Sequence, residues 1–316
     1  MVNVIWADHK SAFLSSSSLA CLTHIPSVNL TSGCAHECIY CYTRGYSIFP
    51  GENNIVIYKN VLERLKGELH HKRKKPQAIY FSPSSDIFQP VSEVLELSHS
   101  ILEFLLSRGI GIAFLTKGYI PDKTLNLLLN NAESVRAQVG IITNDDFTRR
   151  IFEPNAASIN ERLGLMAKMV AGGIPVEARL VPIIPGVTDT CDAIDRLCAA
   201  ISSVGIKRAA ISTLFLRPAI AASLKRHILN RDTLDTIFSF YKDRKRLAVY
   251  AEHSSIIPLP RQKRDEIYSN FRQSGRKHGI KMSICGCMNP DIGGTCNIAG
   301  KWPEPLSQPG LFDTRR

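Results

Sequence analysis

The sequence predicts an α/β fold, a partial (β/α)6 TIM-like barrel followed by a basic C-terminal extension that carries a second cysteine cluster. From about residue 26, short apolar runs alternate with longer stretches of helical periodicity, which is typical of repeated βα units and a parallel sheet. Polar residues follow the ends of these runs, where parallel α/β folds collect their functional groups. Motif position and fold therefore agree.

Each predicted strand is a short apolar run that ends at a polar turn. The six runs are 25–30, 78–81, 111–116, 135–142, 176–181 and 207–214. Apolar residues recur at helical spacing between them, over 61–69, 94–105, 121–129, 161–171 and 189–203. From about residue 230 the rhythm gives way to basic amphipathic segments.

Length and composition fit one large α/β domain with an appendage: the chain has 316 residues, and 44% of them are hydrophobic. Neither a run of about 18 apolar residues nor a signal peptide is present, so we expect a cytoplasmic protein without a membrane partner. The predicted divisions are a leader (1–24), a barrel (25–230), a region with a second metal or cluster site (231–300) and an extended tail (301–316).

Three cysteines crowd into one short loop after the first predicted strand, at Cys34, Cys38 and Cys41. Three thiolates on such a loop can hold three irons of a [4Fe-4S] cube and leave the fourth iron open to a small molecule. A structural zinc site usually has four ligands in two separated pairs. The spacing thus favours the cluster, with zinc or coincidence as the alternatives.

With Tyr40 before its last cysteine, this motif resembles that of the radical S-adenosylmethionine (SAM) enzymes. The resemblance implies that SAM chelates the open iron through its amino and carboxylate groups. It also implies an electron donor such as flavodoxin or ferredoxin, and cleavage of SAM to a 5'-deoxyadenosyl radical that abstracts hydrogen from a substrate.

A site for SAM needs a cation, hydrogen-bond acceptors and an apolar slot, and the predicted strand ends offer all three. Lys117 can neutralise the carboxylate, residues 84–86 can accept from the ammonium or ribose, and Ile184 can face the adenine. The predicted cofactor-binding residues are Tyr40, Ser84, Ser85, Asp86, Lys117, Thr143 and Ile184. The alternative for the loop residues is a solvated turn or a helix cap.

Further motifs, over about residues 26–220, resemble in their order those of the spore photoproduct lyase-like group, often labelled DNA repair photolyases. They are Asp86-Ile-Phe-Gln-Pro90, Thr116-Lys117, Glu153-Pro154 with Glu161-Arg162, Pro182-Ile-Ile-Pro-Gly186 and Leu216-Arg217-Pro218. By this resemblance Tyr42 is a predicted catalytic residue of a radical relay. The lyase's hydrogen-donating cysteine is missing from residues 82–86, which argues against the same repair of a thymine dimer.

The net charge of +11 favours a polyanionic partner, because clustered Lys and Arg displace counterions from a phosphate backbone. Basic runs occur at 70–75, 242–246, 261–264 and 272–281. A solvated helix end explains any single run equally well. Together the runs make nucleic acid the predicted partner.

The C-terminal part carries two further motifs. Cys285, Cys287 and Cys296 lie in a loop rich in Gly and Pro, and they predict a second iron-sulfur cluster, with zinc or unliganded thiols as alternatives. Gln308 with Leu311-Phe312 resembles the short peptide by which bacterial DNA proteins bind the sliding clamp. The alternative for this tail is that it covers the barrel mouth.

The leading hypothesis is a radical SAM enzyme acting on nucleic acid or a nucleotide-containing substrate, in DNA repair or modification. A second hypothesis moves the same chemistry to a peptide, a protein or a small metabolite. A third is a nucleic-acid-binding protein with purely structural metal sites.

Overall fold

The structure is a computed structural model, and it describes residues 2–16, 22, 25–243, 245–249 and 255–295. Its strands are β1 (Asn3–Ala7), β2 (Ser27–Val28), β3 (Thr31–Ser32), β4 (Asn54–Tyr58), β5 (Ala78–Phe81), β6 (Gly111–Thr116), β7 (Val135–Gly140), β8 (Val176–Ile183), β9 (Arg208–Thr213), β10 (Leu247–Ala248), β11 (Ser255–Ile256) and β12 (Lys281–Ile284). The helices are α1 (Val61–His71), α2 (Ser92–Leu106), α3 (Asp122–Leu129), α4 (Asp146–Phe152), α5 (Ile159–Ala171), α6 (Cys191–Ser203), α7 (Pro218–His227), α8 (Arg231–Ser239) and α9 (Arg261–Lys277).

Seven strands form one sheet in the order β12-β9-β8-β7-β6-β5-β2, and every neighbouring pair is parallel. Within the described residues the edge strands β2 and β12 do not pair, so the barrel is open. The predicted α/β partial barrel is confirmed. The seventh strand, β12, is an addition to the six predicted βα units.

The strands form where the sequence is apolar on both faces, because helices cover the outside of the sheet and side chains fill its inside. In β6, five of six residues are buried, and Phe114 packs edge-on against Phe88 with ring centroids 5.2 Å apart. One continuous hydrophobic core runs from Val28 in β2 to Ile284 in β12.

Local signals in the sequence fix where the helices begin. Ser158 accepts a hydrogen bond from the backbone N–H of Glu161, whose carboxylate accepts one in return, and this capping box starts α5. Thr190 caps α6 in the same way through Ala193. Both helices therefore begin within two residues of the predicted positions.

The described residues of the predicted leader include a strand and contacts to the barrel. β1 pairs in parallel with β4, and β3 completes a small second sheet. The backbone N–H groups of Phe13 and Leu14 donate to the carboxylate of Glu68 in α1, at 2.8 and 2.9 Å. This segment is tied to the barrel because it bonds to a half-buried carboxylate and contributes Phe13 to the core.

The C-terminal region also joins the barrel. β12 pairs with β9, and α9 buries Ile267, Tyr268 and Phe271 in the same core. The sheet therefore crosses the predicted boundary at residue 230. Cys296 and the tail 301–316, with its predicted clamp-binding peptide, lie outside the described residues. None of the helices in the described ranges has the length and apolar character needed to cross a membrane.

Candidate active site

A cavity of about 570 Å³ lies at the carboxyl ends of the barrel strands. The loops after β3, β5, β6, β9 and β12 and the end of β8 supply its walls. Among the predicted site residues, it is lined by Cys34, Cys38, Tyr40, Cys41, Tyr42, Ser84, Ser85, Asp86, Lys117, Cys285 and Cys287. Thus residues that are far apart in the sequence share one chamber.

The first cysteine loop is held in shape by its own backbone and by one buried arginine. Gly33 has φ +82°, and a Cβ there would lie 2.6 Å from the carbonyl oxygen of Asn54, so only glycine fits. Arg44 donates to the carbonyl oxygens of Cys38 and Glu37, both at 3.1 Å. These contacts fix the loop through protein groups alone.

The three thiols line the cavity, and all three residues are half-buried. Burial, followed by the nearby charges of Asp86 and Cys38, raises the pKa of Cys34 well above its usual value. Burial is also the main cause that raises the pKa of Cys38 to about 12. Thiolates are the ligands that metals bind, so a metal centre would favour the ionised forms of Cys34 and Cys38.

Three cysteines on one short loop match the ligand set of a cluster that keeps one iron open. Zinc draws its thiolates to within about 2.3 Å of one centre, whereas a cubane spreads three thiolates over three irons. The donor set of Cys34, Cys38 and Cys41 therefore fits [4Fe-4S].

The carboxylate of Asp86 joins the loops around the cavity through its hydrogen bonds. It accepts hydrogen bonds from Thr116 Oγ1 at 3.0 Å and from the backbone N–H groups of Lys117 and Phe88, both at 2.8 Å. His36 Nε2 lies 2.9 Å from the same carboxylate. Burial raises the pKa of Asp86, but attraction to His36 and these bonds outweigh burial and lower it overall.

These contacts give Asp86 a positioning role, while its predicted contact with SAM stays a prediction. Gln89 supports the same loop, because its Oε1 accepts from the backbone N–H of Ala35 at 2.7 Å and its Nε2 donates to Thr31 Oγ1 at 3.0 Å. Neither His36 nor Gln89 was predicted from the sequence as a site residue. The only signal in the sequence for each of these two residues was that a polar residue lies inside a predicted motif.

Tyr40 is anchored by a buried ion pair beneath the cysteine loop. Its hydroxyl donates to Glu153, whose Oε2 lies 2.6 Å from Arg162 Nη1, and both charged side chains are fully buried. Burial raises the pKa of Glu153, but attraction to Arg162 and Lys117 outweighs it and lowers that pKa overall. Lys117 Nζ lies 5.8 Å from the centre of the Tyr40 ring.

Tyr42, the predicted catalytic residue, lies in the cavity wall beside the last cysteine. Its hydroxyl donates to the carbonyl oxygen of Pro83, and its ring meets that of Tyr46 edge-on at 5.7 Å. Burial, then the neighbouring Tyr46 and Cys41, raise the pKa of Tyr42 well above its usual value, so the phenol stays protonated. Its place in the wall is compatible with a radical relay, which stays a prediction.

The loop after β5 offers unsatisfied polar groups to a ligand. The hydroxyl oxygens of Ser82 and Ser85 are buried in the cavity wall without a hydrogen-bond partner among the described residues. Ser82 also has φ +51°, which is rare for a residue with a side chain. Buried hydroxyls usually have partners, so these two favour a polar ligand. Together with the cation of Lys117 they fit SAM.

Two predicted cofactor residues lie outside the cavity wall. The Thr143 hydroxyl accepts from the backbone N–H of Asp145 at 3.0 Å, in the turn that precedes α4. Ile184 is fully buried in the core. β8 continues to Ile183, two residues beyond the predicted end, and this places Val181 and Pro182 in the wall instead.

The wall residues that were not predicted as site residues include Gln138, Arg179, Phe215 and Arg217. Arg179 stands inside β8, and a charged residue in the middle of a mostly apolar strand was the available signal. Arg217 and Phe215 follow β9, at a strand end that the sequence analysis noted without assigning a role. Which strand residues face inward depends on the strand bounds.

The second cysteine loop follows β12 and faces the same cavity. Cys285 and Cys287 both line it, and Arg179 Nη2 donates to Cys285 Sγ at 3.2 Å. The first and second cysteine loops thus share one chamber, although most of the chain separates them. A second cluster or zinc here stays a prediction, since Cys296 lies outside the described residues.

Asn289, almost fully buried, fixes this second loop. Its Nδ2 donates to the carbonyl oxygen of Cys285 at 3.0 Å and to Ser212 Oγ at 3.1 Å, and its Oδ1 accepts from the Tyr268 hydroxyl at 2.8 Å. These bonds join the loop to β9 and α9. Arg264, whose Nη1 lies 2.9 Å from Asp291 Oδ1, holds the end of the loop.

An open parallel barrel whose mouth carries a loop of three half-buried thiols and a cavity for a small cofactor defines a class of cofactor-dependent enzymes. The model of the Radical SAM superfamily matches residues 28–198, which is more than half of the chain. The chain belongs to this superfamily and is an enzyme. Membership implies a [4Fe-4S] cluster and SAM as its cofactors.

Curated relatives are distant. An uncharacterized protein of Mycobacterium tuberculosis (strain ATCC 25618 / H37Rv) is 27% identical over 217 residues, which are 66% of this chain and 64% of that protein. The Radical SAM Nalpha-GlyT isomerase of Pseudomonas phage M6 is 28% identical over 173 residues, or 54% of this chain and 35% of that one. The chain therefore spans less than two thirds of the length of these relatives.

Solved structures of spore photoproduct lyase share the fold. A cysteine-to-serine mutant has a TM-score of 0.67 at 16% identity, covering 88% of this chain and 81% of that one. A double mutant with bound AdoMet and dinucleoside spore photoproduct has a TM-score of 0.65 at 15% identity, with the same coverage. At this identity the likeness concerns the fold alone.

Proposed function

We propose that this radical SAM enzyme acts on a nucleic acid or a nucleotide-containing substrate, in DNA repair or modification. The carrying observation is the cavity: Lys117, Arg179 and Arg217 line it together with the cysteine loop. The net charge of +11 points to the same class of substrate. The similar fold of spore photoproduct lyase, one structure of which holds a dinucleoside photoproduct, supports the proposal.

When bound, the cluster and SAM together supply a radical that abstracts hydrogen from the substrate. The chain's own residues bind the cofactor, orient it and shield the cysteine loop from water. Lys117 neutralises the SAM carboxylate, and the hydroxyl of Ser85 accepts from a polar group of the cofactor. Tyr40, whose hydroxyl donates to Glu153, covers the buried side of the cysteine loop and keeps water away from it.

The cofactor part of the proposal is tested by anaerobic reconstitution with iron and sulfide. We expect wild type to hold at least about four irons and to release 5'-deoxyadenosine and methionine under dithionite. Cys38→Ala should lose both the iron of this site and the cleavage. The matched control is Cys191→Ala, because Cys191 is exposed on α6 and outside the cavity. Purified protein with zinc and no iron would contradict the proposal.

The substrate part is tested by binding of oligonucleotides at several salt concentrations. A nucleic-acid enzyme should bind with an affinity that falls as salt rises, because bound Lys and Arg release counterions. If the substrate is a peptide, a protein or a small metabolite, we expect little salt-dependent binding of oligonucleotides. A flavodoxin or ferredoxin is the proposed electron donor, and its replacement for dithionite in the cleavage assay tests that role.

A further inference from the structure

The four basic runs of the sequence differ in how their charges are compensated. All three cations of the run at 261–264 pair with carboxylates, which belong to Asp265, Glu266 and Asp291. The run at 242–246 lies partly outside the described residues. The runs at 70–75 and 272–281 keep exposed cations that pair with no carboxylate in the described part of the chain. These two runs remain to be explained.

The first of these runs lies at the end of the barrel where the strands begin. Lys72, Arg73 and Lys74 precede β5, Arg108 precedes β6, and all four side chains are exposed. The guanidinium of Arg108 lies 4.0 Å from the centre of the Phe104 ring, which helps to hold it at the surface. We call these four cations the β5 group. Because the sheet is parallel, this end lies opposite the cavity.

A second set of cations precedes β9 and β12 at the same end. The backbone N–H of Lys281 donates to the carbonyl oxygen of Lys207 at 2.9 Å, and Arg276 lies in the last turn of α9. All three side chains are exposed, and we call them the β9 group. Arg208 and Lys277 lie beside them but already pair with carboxylates, so they are left out of the group.

The acidic residues at this end are too few to neutralise the two groups. Glu177, near the start of β8, is buried and accepts from Gln138 Nε2 at 2.8 Å. Glu133, in the turn before β7, and Glu103, on α2, are exposed. Two exposed carboxylates therefore stand against seven exposed cations, and the end of the barrel keeps a positive net charge.

The two groups are close enough for one polyanion to contact both. Neighbouring strands lie about 4.8 Å apart, so the four steps from β5 to β9 span about 19 Å along the sheet. The sheet curls, because Ala78 in β5 and Ala210 in β9 share one buried cluster with Leu22. Each strand of a duplex carries a phosphate about every 3.4 Å along the axis, so about six base pairs cover this span.

We propose that the end of the barrel where the strands begin is a second nucleic-acid-binding surface, on which the β5 group and the β9 group contact backbone phosphates. Phosphate contacts position a protein on the polymer but carry no sequence information. The surface lies away from the cysteine loops, so it binds a segment of the polymer other than the one in the cavity. Such a tether raises the local concentration of substrate. This inference rests on the proposed function and adds a partner-binding surface to it.

The test measures binding of the reconstituted enzyme to fluorescently labelled DNA and RNA of about 20 nucleotides, single-stranded and duplex, at several salt concentrations. One variant combines Lys72→Gln, Arg73→Gln and Lys74→Gln, and a second combines Lys207→Gln, Arg276→Gln and Lys281→Gln. Each should weaken binding about tenfold and lower the slope of log affinity against log salt by about two to three. Iron content and SAM cleavage should stay unchanged, because both groups lie away from the cavity.

The matched control combines Lys59→Gln, Lys123→Gln and Arg231→Gln, which removes the same charge from exposed residues away from the starts of the barrel strands. It should bind as the wild type does, and thermal unfolding of every variant reports on folding. Wild-type affinity in both group variants would overturn this inference and leave the proposed function standing. Equal weakening in the control would do the same, since it would show an effect of net charge alone. Absence of binding by the wild type would overturn both.

Discussion

At the residue scale, the stability of the fold depends on keeping both partners of the ion pair between Glu153 and Arg162, which lies beneath the cysteine loop. Both side chains are fully buried. Replacing one partner leaves an uncompensated buried charge, which typically destabilises a protein by about 3–5 kcal/mol. We therefore expect Arg162→Met to lower the free energy of unfolding by that amount in a denaturant titration.

The control for this experiment is Lys168→Met. Lys168 lies 3.8 Å from Asp122 in an ion pair that is mostly exposed, and such pairs contribute less than about 1 kcal/mol. Equal losses in the two variants would contradict the assignment of a structural role to the buried pair.

The sequence predicted the site residues whose position follows from a strand end. Ser85 and Lys117 lie in the cavity wall because the bounds of β5 and β6 match the predicted runs. Ile184 does not lie in the cavity wall, because β8 is longer than its predicted run. The position of Arg179 could not be predicted without knowing which face of β8 turns inward. This depends on the packing of neighbouring strands.

At the scale of elements, Asp195 joins α6 to the end of α9. Its carboxylate accepts from Lys277 Nζ at 2.9 Å, from His278 Nε2 at 2.9 Å and from Ser274 Oγ at 3.2 Å. The hydrogen bonds from Lys277 and His278 lower the pKa of Asp195 to about 2. An unfolded Asp has a pKa of about 3.9, so the folded state favours the ionised carboxylate.

This difference sets a direction for the pH dependence of stability. The contribution of Asp195 is fully present above about pH 4 and is lost as pH falls through about 2. The wild type should be more stable than Asp195→Asn at pH 7, and the gap in denaturant midpoint should close at low pH. Asp192→Asn is the control, since Asp192 bonds within its own helix. A gap independent of pH would contradict the prediction.

The second cysteine loop makes a further prediction about metal content. Cys285 and Cys287 both line the cavity, and Asn289 holds the backbone of Cys285, which favours a bound metal centre over unliganded thiols. We expect Cys285→Ala with Cys287→Ala to lower the iron content from about eight to about four per chain. Cys191→Ala serves as the control again. An unchanged iron content with loss of zinc would select the zinc alternative.

The predictability of the elements followed the strength of their patterns. The runs at β5 and β6 were predicted to the residue, because both are apolar and end at polar turns. β12 was missed because it has four residues at a sheet edge, only one of them buried. α7, α8 and α9 were missed because their surfaces are rich in charge and their apolar faces are narrow.

At the scale of the whole molecule, the open barrel explains how two distant cysteine loops meet. β2 and β12 are the edge strands of the seven-stranded sheet. The first cysteine loop follows β3 near one edge, and the second follows β12 at the other. Curling of the sheet brings both loops to one cavity, so the loop after β12 contributes to the wall of that cavity, as the loops after β5 and β6 do.

This architecture predicts that a chain ending at residue 230 does not fold by itself. The truncation removes α9 and β12, and with them the buried side chains of Ile267, Tyr268 and Phe271. Burial of such side chains contributes about 1.5–3 kcal/mol each, and together this rivals the 5–15 kcal/mol by which typical domains are stable. Circular dichroism should show loss of cooperative unfolding.

The control is a chain ending at residue 295, which keeps every core residue that the structure describes. It should unfold in one cooperative transition, as the full chain does. A folded fragment 1–230 with a transition of its own would show that β9 tolerates an exposed edge and that the region after residue 230 is a separate unit. Loss of folding in the longer fragment would place part of the stability in the residues after 295.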